Sequence, residues 1–332
     1  MRIFVTGATG YIGTALVRRL AADGHELRAL VRATSRTETL DELGVATFSG
    51  DVSDPESKRT SLREAMSGAD WVLHLAAELD PHASLERMRR VNVGGSEAVA
   101  SLASKLGVGR FLSVSSVAYF GGSPEDGTPA TEATPPREPF PSAYSLTKHE
   151  AERAIRAWAD RGLAVYTVYP SLVYGPPGKK QGANWLLRAI LKERFPVLVG
   201  AERRTSWVYL DDVVEAIVRL MDRADALPPG RDYLLAGDAT TVRELARRVA
   251  ELGGVRAPRR NLPVPVARFA SALTAPLFRL AGKRPPLPPE QLRSLTRDWV
   301  FDDARARREL DWRPRSLAEG LPPTVAYIQA GG

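Results

Sequence analysis

Two groups of residues in this chain have the types and spacing that chemistry requires. Tyr144 and Lys148 stand four positions apart in Tyr144-Ser145-Leu146-Thr147-Lys148, so on a helix they share one face and the ammonium lies beside the phenol. A cation there favours the phenolate and draws a reference pKa of about 10 toward the working range, as an acid/base tyrosine needs. The Ser115–Ser116 pair closes the apolar run from Phe111 and offers a hydroxyl to the same reacting oxygen. The second group is Gly7, Gly10 and Gly13. Gly7 suits a tight turn, Gly10 a close approach to a pyrophosphate and Gly13 the packing of a helix on a sheet, with the helix N-terminus facing the phosphate charge. Either group alone would fit an ordinary solvated helix or a simple turn. Together they point to hydride chemistry on a bound dinucleotide.

The elements that must position these groups are legible in the apolar pattern. Met1–Thr6 reads as a strand, Gly7–Gly13 as the turn, Tyr11–Asp23 as a helix with Ile12, Leu16, Val17 and Leu20 at helical spacing, and Glu26–Arg32 as a second strand. Val45–Phe48, Trp71–Ala76 and Phe111–Ser115 continue the alternation of strands and helices, which is the grammar of an α/β fold with a doubly wound parallel sheet. Ligands of such sheets sit at the carboxyl ends of the strands. There Asp51 and Val52 suit the flanks of an adenine, Ala76 and Ala77 leave room beside a ribose, and Asn92 suits an adjacent helix. At the end of the second strand an NAD site usually carries Asp or Glu for the ribose 2′-hydroxyl, whereas this chain has Arg32, with Arg36 close behind. A guanidinium suits a 2′-phosphate, so NADP(H) is favoured over NAD(H).

Composition narrows the classes. The chain has 332 residues, 44% hydrophobic and 26% charged, values of a globular protein, with no apolar run long enough for a spanning helix. It starts directly on the strand-like MRIFVTG, so a cytoplasmic location is the expectation. The absence of Cys removes disulfides and thiolate chemistry, and four scattered His (25, 74, 82 and 149) give no metal site. The net charge of +7 is spread over Arg residues without a nucleic-acid module, so no nucleic-acid partner is expected.

The motifs TGATGYIG (6–13), GDVSD (50–54), HLAA (74–77), Asn92, SVSSVAYFG (113–121), YSLTK (144–148), YPSLVYGP (169–176) and WVYLDDVVEAI (207–217) resemble those of the extended short-chain dehydrogenase/reductases, the NAD-dependent epimerase/dehydratase superfamily. The resemblance covers nearly the whole chain. It implies a Rossmann core at 1–175 carrying the catalytic residues and a smaller, mostly C-terminal substrate lobe at 176–332, with about 205–240 returning to the core. It implies Tyr144 as the acid/base, Lys148 lowering its pKa and holding the nicotinamide ribose, and Ser116, matched by its distance from Gly121, binding the reacting oxygen; Ser115 is the register alternative. The cofactor residues so implied are Gly7, Thr9, Gly10, Tyr11, Ile12, Gly13, Arg32, Asp51, Val52, Leu75, Ala76, Ala77, Asn92, Tyr144, Lys148, Tyr169, Pro170 and Val173. Members often pair through the helix that carries the Tyr/Lys motif, so a homodimer is expected.

The second half speaks to the substrate. Members acting on nucleotide sugars begin an RDFxHVDD-type segment with an Arg that grips the diphosphate; here that position is Thr205, with Arg203 and Arg204 just upstream. Pro177–Gly182 forms a Gly/Lys-rich loop that either closes over a ligand or lies on the surface, followed by a helix at Trp185–Arg194 and a strand at Val197–Val199. Phe269, Leu273, Leu277 and Leu280 share a helical face edged by Arg268 and Arg279, fit to wall a hydrophobic pocket, touch a membrane surface or pack on its own lobe. Pro285, Pro286, Pro288 and Pro289 read as a stiff connector, and Asp302 as a helix cap. The expected activity is NADP(H)-dependent interconversion of a secondary alcohol and a ketone on a small, moderately hydrophobic substrate, similar to the dihydroflavonol reductase and 3β-hydroxysteroid dehydrogenase branch. The alternatives are a nucleotide-sugar epimerase or dehydratase with tightly held NAD, and a non-catalytic dinucleotide sensor.

Overall fold

The structure is a computed structural model that describes residues 1–54, 59–178, 181–194, 197–280 and 291–331. Its strands are β1 (Arg2–Thr6), β2 (Glu26–Val31), β3 (Ala46–Ser49), β4 (Trp71–His74), β5 (Arg110–Val114), β6 (Val165–Pro170), β7 (Leu172–Tyr174), β8 (Val197–Val199), β9 (Arg204–Tyr209), β10 (Asp232–Leu235), β11 (Asp238–Thr241) and β12 (Arg260–Leu262). The helices are α1 (Tyr11–Ala22), α2 (Glu38–Glu42), α3 (Arg59–Met66), α4 (Leu85–Met88), α5 (Gly95–Lys105), α6 (Ala143–Ala159), α7 (Asn184–Leu191), α8 (Leu210–Arg223), α9 (Val242–Gly253), α10 (Val264–Leu280), α11 (Gln291–Ser294), α12 (Ala304–Leu310) and α13 (Leu317–Gln329).

The central sheet has seven parallel strands in the order β10-β6-β5-β4-β1-β2-β3. Its inner strands are apolar on both faces because helices cover both: Ile3, Phe4 and Val5 of β1 and Trp71, Val72 and Leu73 of β4 are fully buried. One face packs against α1, whose Leu16, Val17 and Leu20 meet Val213, Ile217 and Leu220 of α8. The other packs against α3, α5 and α6 through Ala65, Val99, Ala103 and Ile155. Strand order reverses between β1 and β4, which opens the crevice where a doubly wound sheet binds its ligand. A second sheet, β11-β9-β7, leans on α7, α9 and α13 around Tyr174, Leu187, Trp207, Leu245 and Leu321.

Several expected boundaries move, each for a local reason. The strand read as Trp71–Ala76 ends at His74, because Leu75 and Ala76 pass directly over Gly7. The expected Val197–Val199 strand forms and pairs with Arg260–Leu262. Asp302 is not the cap residue: Asp303 holds that position and its carboxylate accepts from Gly237 N–H at 3.0 Å, while Asp302 accepts the Ala304 N–H at 2.8 Å. The helix through Phe269 and Leu273 forms as α10 but leaves both side chains in solvent; the Leu277 and Leu280 side chains, Lys179 and Lys180, and the proline run at 285–289 lie outside the described residues.

The β1–α1 turn leaves no room for a larger residue. Gly7 adopts φ +73°, and a Cβ on Gly13 would stand 2.1 Å from the Gly7 carbonyl oxygen. Gly13→Ala therefore forces α1 off the sheet. Thermal unfolding should report a loss of about 3 kcal/mol, and a variant with wild-type stability would mean that the turn relaxes freely.

Candidate active site

The glycine turn, the ends of β1 to β6 and the start of α6 enclose one cleft of about 640 Å³. At one end α1 begins at Gly10, an N-cap without a side-chain partner, so its first N–H groups are left for an anion. The middle is bounded by Leu30 in β2, Arg32 and Ser35 after it, and by Asp51, Val52 and Ser53 after β3. The far end holds Ser115, Ser116, Tyr144 and Lys148, with Pro170, Ser171, Leu172 and Val173 opposite. The Asp51 carboxylate is fixed by the Ser53 N–H and hydroxyl, both at 2.8 Å. A positive-φ glycine pressed on the backbone of Leu75 and Ala76 just after β4, an open helix N-terminus and a cation at the β2 end are a donor set that fits a dinucleotide.

A buried polar chain ties the two ends of the cleft together. Ala76 N–H donates to Thr6 Oγ1 at 3.3 Å, Thr6 Oγ1 lies 2.8 Å from His74 Nδ1, and His74 Nε2 lies 2.9 Å from Ser96 Oγ. Ser96 gives its own proton to the Asn92 carbonyl at 2.6 Å, so His74 must donate from Nε2 and accept at Nδ1 from the threonine. Burial pushes His74 down to about 3, with Lys148 adding to the effect, so the ring stays neutral. Asn92 continues the chain, accepting from Glu78 N–H at 2.6 Å and donating to Thr147 Oγ1 at 3.1 Å. It sits in a π-helical stretch, Arg89–Gly94, between α4 and α5.

Ser142 caps α6 by accepting the Ser145 N–H at 3.1 Å, which starts the helix with Tyr144 and Lys148 facing the sheet. Ser116 caps a 3₁₀ turn over Val117–Phe120 by accepting Ala118 N–H at 3.1 Å, and its hydroxyl also reaches the Tyr144 phenol. Burial raises Tyr144 to about 12, opposed by the Ser116 hydrogen bond. The expected direction, a phenol drawn down by Lys148, is thus reversed here, and the phenol holds its proton. Burial lowers Lys148 to about 8, opposed by Glu152; its Nζ donates to the Val114 carbonyl at 3.4 Å. Glu152, one turn further along α6, is 1% exposed; one oxygen accepts from Thr167 at 2.9 Å and the other has no hydrogen-bond partner among the described residues. Burial pushes its carboxyl up, against the pull of Arg156.

Of the residues singled out from sequence, Gly7, Thr9, Gly10, Tyr11, Ile12, Gly13, Arg32, Asp51, Val52, Leu75, Ala76, Ala77, Ser116, Tyr144, Lys148, Pro170 and Val173 line the cleft, as does the alternative Ser115. Two do not. Asn92 lies behind the wall in the polar chain, and Tyr169 is buried on the other side of β6, where its hydroxyl accepts from Arg156 at 3.1 Å and its ring packs on Tyr119 and Phe120. Successive side chains of a strand point to opposite faces, so when Pro170 faces the cleft its neighbour cannot. Sequence reasoning missed Arg87 and Arg90 on the wall, the Thr6–His74–Ser96 chain and Glu152. Glu152 carried one readable signal, a second four-residue step after Lys148. The loop after β7 is held by Asn184, fully buried, which accepts from Gly175 N–H at 3.0 Å and donates to the Gly175 and Gly178 carbonyls at 2.7 Å; Tyr11 also donates to the Gly175 carbonyl. Neither Arg203 nor Arg204 is among the described residues that line the cleft; the Arg203 guanidinium lies 3.8 Å from Asp298, and the Arg204 main-chain N–H donates to the same carboxylate at 2.9 Å.

Comparison with known proteins places this geometry. The sequence model described as the NAD dependent epimerase/dehydratase family matches residues 3–236. A 4-hydroxy-2-methyl-3-oxo-4-farnesyl-3,4-dihydroquinoline-1-oxide ketoreductase of Stigmatella aurantiaca is 31% identical over 100% of this chain and 97% of its own. A 3 beta-hydroxysteroid dehydrogenase/Delta 5-->4-isomerase of Mycobacterium tuberculosis is 30% identical over 99% of this chain and 91% of its own. Among solved structures, a Thermus thermophilus UDP-glucose 4-epimerase complex with NAD superposes with a TM-score of 0.76 at 24% identity, covering 100% of both chains.

The lowered Lys148 gives a signed pH effect. Any step that needs its ammonium is fastest below pH about 8 and slows as the pH rises through that value. Because Glu152 raises Lys148, Glu152→Gln should move this falling limb of kcat/KM to lower pH. A limb that stays in place, with reduced amplitude only, would make Glu152 a packing residue.

Proposed function

This chain belongs to the NAD-dependent epimerase/dehydratase family and is an NAD(P)-dependent oxidoreductase, and on that premise we propose that it uses NADP(H) to interconvert a secondary alcohol and a ketone on a small, moderately hydrophobic substrate. The observation that carries the reading is the meeting of Ser116, Tyr144 and Lys148 at the end of the cleft opposite the glycine turn. When bound, the dihydronicotinamide supplies hydride to a carbonyl carbon. Tyr144, protonated by virtue of its burial, gives its proton to the developing alkoxide. Ser116 donates to the same oxygen and orients the phenol, and the Lys148 ammonium stabilises the phenolate that remains. The glycine turn and the first N–H groups of α1 hold the pyrophosphate, Asp51 and Val52 flank the adenine, and Arg32 takes the 2′-phosphate, since the β2 end offers no carboxylate to a free 2′-hydroxyl. On this reading 1–175 binds the dinucleotide and 176–332 mainly shapes the substrate, with about 205–240 returning to the core.

The epimerase reading is disfavoured by Thr205 and by the absence of both Arg203, whose guanidinium lies 3.8 Å from Asp298, and Arg204 from the described lining of the cleft. Relatives of similar length that act on farnesylated quinolines and steroids support a hydrophobic substrate. A non-catalytic sensor would have no use for a proton-bearing phenol beside a buried ammonium.

Tyr144→Phe should lower kcat for ketone reduction by about a thousandfold while fluorescence titration finds NADPH affinity within about threefold of wild type. Retained turnover would remove Tyr144 from the reaction. In the same titration Arg32→Ala should weaken NADPH by about tenfold and leave NADH unchanged, as the loss of one phosphate contact predicts; equal losses for both would refute the 2′-phosphate role.

A further inference from the structure

The chain segregates its charge. From Leu252 to Pro289 there are seven basic residues, Arg256, Arg259, Arg260, Arg268, Arg279, Lys283 and Arg284, and no Asp or Glu. Taking those seven from the 46 Lys and Arg leaves 39, equal to the 39 Asp and Glu, so this stretch accounts for the whole net charge of +7.

The same stretch contains α10, a 17-residue helix with few of its described apolar side chains covered. Ala267 is buried, whereas Val266, Phe269 and Leu273 are 50%, 67% and 60% exposed. These three follow the i, i+3, i+7 spacing of one helical stripe. Arg268 beside the stripe and Arg259 and Arg260 just before the helix are exposed as well, and among the described residues none of the three guanidiniums has an ion-pair partner. A contiguous apolar stripe left in water marks a surface made for contact.

We propose that α10 docks this protein peripherally on an anionic lipid bilayer, with Val266, Phe269 and Leu273 entering the headgroup boundary and Arg259, Arg260 and Arg268 meeting the lipid phosphates. An amphipathic helix with cations beside its apolar stripe lies in the interface plane rather than across it, and among the described residues no helix is long and apolar enough to cross. A second copy of this chain is a poor occupant, because a two-fold contact through α10 would bring both carboxylate-free, arginine-rich stretches together. The lack of any acidic residue in the stretch leaves nothing to repel a phosphate surface.

The purified full chain is floated with vesicles of equal parts phosphatidylglycerol and phosphatidylcholine, and with phosphatidylcholine alone. Wild type should float with the anionic vesicles only and be released by high salt. Arg259→Gln with Arg260→Gln should lower the partition by about fivefold per charge removed. Phe269→Ser with Leu273→Ser should lower it by at least about tenfold, with the melting temperature unchanged because both side chains are exposed. Failure to float with anionic vesicles, or equal flotation with both vesicle types, overturns the proposal. So does self-association that depends on Phe269 and Leu273, which would assign the stripe to a second copy.

Discussion

The structure depends on one buried line of hydrogen bonds, Ala76 to Thr6 to His74 to Ser96 to Asn92 to Thr147, which crosses from the end of β1 through β4 and α5 into α6. Thr6, His74, Ser96, Asn92 and Thr147 are all buried, so an unpaired member would carry its full desolvation cost, about 1–3 kcal/mol. The chain has one consistent direction of donation, and that direction requires a neutral imidazole. Burial supplies it by holding His74 near 3. The glycine turn and the Tyr/Lys helix, contributed by distant parts of the sequence, are thereby held in one register across the sheet. The polar residues Thr6 and His74 at the carboxyl ends of the otherwise apolar strands β1 and β4 are explained by this line.

Within α6 three ionisable groups follow at four-residue steps, Tyr144, Lys148 and Glu152. Desolvation acts on all of them in the sense that removes charge: up for the phenol, down for the ammonium, up for the carboxyl. Glu152 counteracts the loss at Lys148, and Arg156 counteracts the loss at Glu152, so charge is passed along the helix from its solvated end toward the cleft. Arg156 is itself held by Asp232 of β10. The last strand of the sheet therefore bears on the electrostatics of the reacting end.

The parts of this arrangement that rest on local sequence were legible. The glycine spacing, the four-residue step from Tyr144 to Lys148 and the short apolar runs of β1, β2 and β5 are each contained within one segment. What escaped depends on which face a residue takes or on what lies across the sheet. Tyr169 was assigned to the cleft with the rest of the 169–173 segment by resemblance to the family motif, yet β6 is buried on both faces and gives no polar alternation to fix the parity. Asn92 was placed at the ligand, and its real neighbours, Glu78 and Thr147, lie 14 and 55 residues away in sequence. The sign of the Tyr144 shift was misread for the same reason: a helical step reports the nearby cation but not the burial that outweighs it.

The charge distribution of this molecule also has a consequence for how it behaves as an electrolyte. With 39 charges of each sign outside the stretch at 252–289, the remainder of the chain is electrically neutral as a sum, and the net charge is carried by this one stretch, whose described side chains Arg256, Arg259, Arg260 and Arg268 lie on or before α10. An ion-exchange resin, an electrode or any charged wall therefore acts on the protein chiefly through that stretch. At ionic strengths where the screening length is about 10 Å or less, that attraction fades while the contacts within the buried cleft persist. Orientation and chemistry thus respond to different properties of the surrounding solution.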